Sequence, residues 1–218
     1  MTPVELRNEQ SISSRVSILT RLVPSLSYAI PMFGAALSAI LLMGVMRAMT
    51  MAESAGVAAV AGGMAEADLF TLVALYFAIF VGVIGILVMV IRSLMSTTTT
   101  SPSGWFFLIT AGLGLIPLLL LWEAQSLLVQ AIAGREGVAQ VAPKIQLCIT
   151  LTLVTTVVFA LVLLIASLAP LPSVLRAKRK YAPLLVLLFM ELALIGTAVA
   201  FQVRASWLNQ VKETGRLF

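Results

Sequence analysis

Glu191 is the residue in this chain whose setting points most directly to chemistry. It stands about ten residues into the last long apolar run, Tyr181 to Val203. An ionised carboxylate at such a depth in a membrane costs at least roughly 2.5–3.5 kcal/mol. It must therefore be protonated, paired or in contact with water. An apolar setting favours the protonated form, as a proton carrier requires. A neutral Glu hydrogen-bonded to a neighbouring helix satisfies the same physics with no transport role.

The other acids have milder explanations. Glu123 follows Trp122 and lies 18 residues beyond Trp105, which suits a hydrated position at the outer interface. Glu66 and Asp68 are read as opening a helix, where negative charge complements the positive end of the helix dipole. Cys148, Thr152 and either Thr155 or Thr156 share one helical stripe. Hydroxyls on such a seam can hold a file of water for proton hopping, or can bond the preceding carbonyl of their own helix. The small-residue pairs Gly34 with Ser38, Gly82 with Gly85, and Gly196 with Ala200 allow close helix packing, within one protomer or between subunits.

These residues need a membrane scaffold. Of the 218 residues 61% are apolar and 11% charged, and the mean hydropathy is +1.09. A soluble domain carries about 25% charged residues, so a water-soluble fold is excluded. The chain has no His and a single cysteine, Cys148. Haem, zinc and copper thus lose their commonest ligand, no internal disulfide can form, and neither a cofactor nor an enzymatic activity is expected. Lys and Arg number 14 against 9 Asp and Glu. With no basic stripe interleaved with aromatics, that excess orients loops at a membrane and does not indicate nucleic acid.

Crossing roughly 30 Å of hydrocarbon takes about 20 residues of helix. Five stretches qualify: Leu26 to Arg47, Leu69 to Ile91, Trp105 to Ala131, Ile145 to Leu168 and Tyr181 to Val203. The expected fold is an all-α, polytopic membrane bundle of five transmembrane helices. Its parts are an amphipathic N-terminal segment (1–25), a first hairpin (26–95), a second hairpin (104–169), a fifth helix (181–204) and a C-terminal tail (205–218). In the first part Ile12, Val16, Leu19 and Val23 recur at helical spacing; this segment either lies on the headgroups or extends the first span. No signal-peptide core precedes the spans, so the first span is expected to stay in the mature chain.

With five spans the basic residues divide eight to six between the two faces, and the dense run Arg176-Ala-Lys-Arg-Lys180 lies on the N-terminal side. The positive-inside bias then puts the N-terminus in the cytoplasm and the C-terminus outside. A weak self-similarity suggests a tandem repeat of a two-helix hairpin. Gly56-Val-Ala-Ala-Val-Ala61 recurs as Gly137-Val-Ala-Gln-Val-Ala142, Thr71-Leu-Val73 as Thr152-Leu-Val154, and Ile30-Pro31 as Ile116-Pro117. Copies with two spans each would share one orientation.

Ile30-Pro-Met-Phe-Gly34, Gly44-Val-Met-Arg-Ala-Met49 and Ala58-Ala-Val-Ala-Gly-Gly-Met-Ala-Glu-Ala67, followed by Thr71, Leu75 and Ala78-Ile79, lie within about a quarter of the chain. This region resembles the two pore-lining helices, and the short periplasmic turn between them, of the MotA/TolQ/ExbB proton-channel family. The resemblance implies that Thr71 is a pore-facing hydroxyl, Glu66 an acid near the pore entrance, and Ser38 a small hydroxyl in the partner helix. Phe80 and Asp68 depart from it, standing where the family usually has proline and leucine, and the family's large cytoplasmic region has no counterpart here.

The implied function is that of a ring-forming subunit of a proton-driven motor or energy-transducing complex in the bacterial inner membrane. Its copies would surround a single-span, Asp-bearing partner of the ExbD/TolR/MotB kind, with Thr71 and Thr152 lining the route and Glu191 tuning it. The alternatives are a transporter or permease subunit with Glu191 as its coupling carboxylate, and a structural membrane subunit.

Overall fold

The computed structural model describes residues 3–51, 57–95, 104–133, 138–168 and 182–214. It contains five helices: α1 (Pro3–Met51), α2 (Val57–Met95), α3 (Gly104–Ile132), α4 (Val138–Leu168) and α5 (Ala182–Thr214). All five are long and apolar enough to cross a membrane, over Ser25–Met49, Val57–Ile91, Phe107–Ala131, Gln140–Ile165 and Pro183–Thr214. The chain is an all-helical, multi-pass membrane protein. The Arg176-Ala-Lys-Arg-Lys180 run, and Gly56 and Gly137 of the self-similar segments, lie outside the described residues.

Helices α1, α2, α4 and α5 run further than the spans expected from the sequence. α2 begins at Val57, so the Ala-rich stretch read as a turn is helix, and Glu66 and Asp68 stand nine and eleven residues inside it. Dipole compensation at a helix start is therefore not their role. Alanine is the strongest helix former, and this stretch packs on α1, with Gly63 against Val45. α5 continues past Val203 to Thr214. α1 runs from Pro3 to Met51 without a break, so the N-terminal segment extends the first span.

The helices adjoin in the order α4, α1, α2, α5, α3 and back to α4, and α1 also touches α3 across the middle. α1 and α2 are antiparallel: Gly34 meets Ala74, Ser38 meets Thr71, and Val45 meets Gly63. α2 and α5 are antiparallel as well, with Gly62 under the Lys212 stem, Asp68 at Arg204 and Gly82 at Glu191. The interior is rich in small residues, among them Ala35, Ala39, Ala67, Ala78, Ala124 and Ala198. Large side chains such as Phe70, Phe77, Phe80 and Phe189 face outward. That distribution suits lipid as the surrounding solvent, because close backbone approach and not apolar burial then drives helix association.

Candidate functional site

Buried polar residues gather at three levels of the bundle. At the first, Arg204 of α5 donates from Nε to Asp68 Oδ2 at 2.9 Å and from Nη2 to Asp68 Oδ1 at 2.8 Å. The guanidinium carbon lies 3.9 Å from the Trp122 ring centroid and 4.5 Å from that of Phe201. Those two rings meet edge to face at 5.4 Å. A planar cation with a fixed fork of donors fits this setting, since it can pair bidentately in one plane and stack on an aromatic face. Gln125 of α3 is buried and faces Asp68 without closing a hydrogen bond of good geometry. The Arg204 Nη1 has no hydrogen-bond partner among the described residues. Three helices thus meet at one neutralised ion pair.

The second level is the Ser38–Thr71 pair. Ser38 donates its single hydroxyl proton to the Ala67 carbonyl, so Thr71 supplies the proton for the 2.7 Å contact between the two hydroxyl oxygens. Both side chains are fully buried. The α1–α2 crossing is tight here because Gly34 lets the backbones approach: a Cβ on it would overlap the Ala74 Cβ. Thr71 therefore faces α1 within its own protomer and not an open pore wall.

Glu191 marks the third level. It is 4% exposed, and its carboxylate sits directly on the α2 backbone at Gly82, where any Cβ would overlap it. The Ser27 hydroxyl faces the carboxylate, and the buried Tyr28 is close enough to interact with it. Neither Glu191 oxygen, nor the Tyr28 hydroxyl, closes a hydrogen bond of good geometry among the described residues. The Tyr28 carbonyl packs on Gly114 of α3. Along α5 Glu191 is thirteen residues from Arg204, about 20 Å at the helical rise.

The remaining expected site residues are dispersed. Thr152 bonds its own Cys148 carbonyl at 2.8 Å, and Thr156 bonds the Thr152 carbonyl at 2.7 Å and the Met32 carbonyl at 3.3 Å. Thr155 donates to the Leu151 carbonyl at 2.6 Å. Thr71 and Thr152, matched by the self-similarity of the sequence, thus have different partners. Glu66 and Glu123 are exposed, Gly85 is buried, and Gly196 is exposed with open space where a side chain would go. Gly196 lines an apolar groove of about 400 Å³ between α3 and α5 that ends at Trp122 and Phe201. Among the described residues no continuous file of hydroxyls links Ser38 and Thr71 with Glu191, because Ser38 lies eleven residues along α1 from Ser27.

Sequence reasoning missed Ser27 and Tyr28 beside Glu191, and it missed Arg204, which was counted with the flanking basic residues. The signal for it was present. Leu187, Glu191, Leu194, Ala198, Phe201, Ala205, Leu208 and Val211 are all buried, and their spacing of three and four continues one helical stripe past Val203. Among the described residues no cluster of three His, Cys, Asp or Glu side chains could hold a metal ion. Comparison with known proteins found no matching family model, no matching curated protein and no matching solved structure.

Proposed function

We propose that this chain is a non-enzymatic, proton-conducting subunit of an energy-transducing complex in a bacterial inner membrane, with its N-terminus in the cytoplasm. The observation that carries this reading is Glu191, a carboxyl enclosed by α1, α2 and α5 with no Lys or Arg among the described residues acting on it. An unpaired acid in a membrane interior is costly unless it exchanges a proton or serves a pathway. The resemblance to the MotA/TolQ/ExbB family supports assembly as a homo-oligomer around a single-span, Asp-bearing partner. In this reading Glu191, Ser27 and Tyr28 replace Thr71 at the centre of the route, since the hydroxyl protons of Thr71 and Ser38 are both committed within the α1–α2 crossing.

The test is proton flux into proteoliposomes holding the purified complex under an imposed potential. Glu191→Gln should reduce the flux at least tenfold while leaving assembly unchanged. Unchanged flux in a normally assembled variant overturns the reading. A structural subunit is the second reading, favoured by the closed Asp68–Arg204 pair; it is supported if the wild-type complex conducts nothing.

A further inference from the structure

Three buried oxygen atoms at the level of Glu191 have no hydrogen-bond partner among the described residues: Oε1 and Oε2 of Glu191 and the Tyr28 hydroxyl. Tyr28 is 2% exposed and Glu191 4%, so bulk solvent reaches neither. Buried polar side chains in folded proteins are almost always hydrogen-bonded, and in hydrocarbon surroundings an unmade bond costs several kcal/mol. The three atoms also belong to one place. Tyr28 lies within electrostatic reach of the Glu191 carboxyl, yet the two groups close no direct hydrogen bond.

The surroundings of the pair define what can join it. α1 brings Tyr28 itself and Ser27, whose hydroxyl faces the carboxylate; α2 brings the backbone at Gly82, and α3 brings Gly114 against the Tyr28 main chain. No Arg or Lys among the described residues acts on Glu191, and Arg204 is engaged by Asp68. An uncompensated carboxylate at this depth is costly, which leaves the neutral carboxyl. That form carries one donor and spare acceptor capacity, and a phenol carries one donor. Both groups therefore have a proton to give. A polar pair that interacts from beyond direct bonding distance is the usual setting of a bridging water. One water oxygen can accept from both groups and return a hydrogen to the carboxyl, which makes about three bonds, the number typical of an internal water.

We propose that Tyr28 and Glu191 form a binding site for one internal water molecule, which bridges the tyrosine hydroxyl of α1 and the carboxyl of α5. The proposal rests on the proton-conduction reading of Glu191 and names the acceptor to which its proton is hydrogen-bonded. Tyr28 is then a positioning residue: its hydroxyl fixes the water, and the water faces the acid.

The test is infrared difference spectroscopy of the purified full-length protein in proteoliposomes, stepped in pH, in ordinary water and in water enriched in oxygen-18. The wild type should show a carboxylic acid C=O band, and with it an O–H stretching band that moves to lower frequency in the heavy-oxygen water. Glu191→Gln should remove the C=O band. Tyr28→Phe keeps the ring and loses the hydroxyl. It should move both bands to higher frequency, because hydrogen bonds in a chain strengthen one another. The isotope shift is read on the wild type and depends on no variant. A wild type without an isotope-sensitive band overturns the proposal, as does a pair of bands unmoved by Tyr28→Phe. A C=O band that responds to Tyr28→Phe with no isotope-sensitive companion means that the two groups bond directly, and it overturns the water site. If the bands behave as expected but Glu191→Gln conducts normally, the site stands and the conduction reading fails.

Discussion

Arg204 and Asp68 are held by two parallel hydrogen bonds of 2.9 and 2.8 Å, with the acid fully buried and the base capped by Trp122. This single pair ties the C-terminal half of α5 to α2 and, through the aromatic cap, to α3. Its members are 136 residues apart in sequence.

Breaking the pair from one side should be severe. Arg204→Ala leaves Asp68 buried and uncompensated, and is expected to cost about 3–5 kcal/mol of unfolding free energy in detergent. Replacing both, as Asp68→Leu with Arg204→Met, should recover most of that loss. Arg204→Lys should recover less, because an ammonium lacks the second parallel bond and the ring stacking. Denaturant titration of the four proteins measures this, and a single variant as stable as wild type would contradict the assignment.

Gly82 and Glu191 should behave as a lock and its key. Gly82→Ala places a methyl group inside the space of the carboxylate, with an expected destabilisation of about 1–3 kcal/mol from overpacking. Adding Glu191→Ala should restore stability, since the removed side chain vacates that space. Thermal unfolding followed by helical circular dichroism reports both changes.

Gly34 sets the spacing of α1 from α2 in the same way. Gly34→Ala collides with the Ala74 methyl, again at about 1–3 kcal/mol, and Ala74→Gly in the same chain should compensate. A double-variant cycle in which the two effects simply add would show that the crossing is looser than described.

Thr71 separates a pore-lining hydroxyl from a structural one. Because its one hydroxyl proton is committed to Ser38, Thr71→Val should lower stability by about 1 kcal/mol and leave proton flux within twofold of wild type. Ser38→Ala should act similarly, with less than the summed effect when the two are combined. A large loss of flux in a stable Thr71→Val protein would return Thr71 to the route.

Much of this architecture is legible in the chain and some is not, for identifiable reasons. Hydropathy alone marks the bodies of α1, α3 and α4, because runs of Leu, Val and Ala of that length have few other solutions. It also isolates Glu191 as an acid without a local excuse. The start of α2 is hidden because Gly62 and Gly63 read as helix-weakening, whereas their contacts with Lys212 and Val45 are tertiary. The end of α5 is hidden because a hydropathy average charges Arg204 its full cost, with no knowledge that Asp68 cancels it. Which side a hydroxyl faces is equally a property of the neighbours: Thr71 and Thr152 have alike local sequences, yet only Thr71 finds a hydroxyl across a helix crossing.

The unbroken course of α1 has a mechanical consequence. One rod runs from Pro3 into contact with α2, α3 and α4, so a load applied to its leading end arrives as tilt shared by three neighbours. Pro24 and Pro31 lie within that rod, and each omits one rung of its hydrogen-bond ladder. A helix is most readily bent at such positions, and the second of them lies three residues beyond Tyr28, at the level where Glu191 is held.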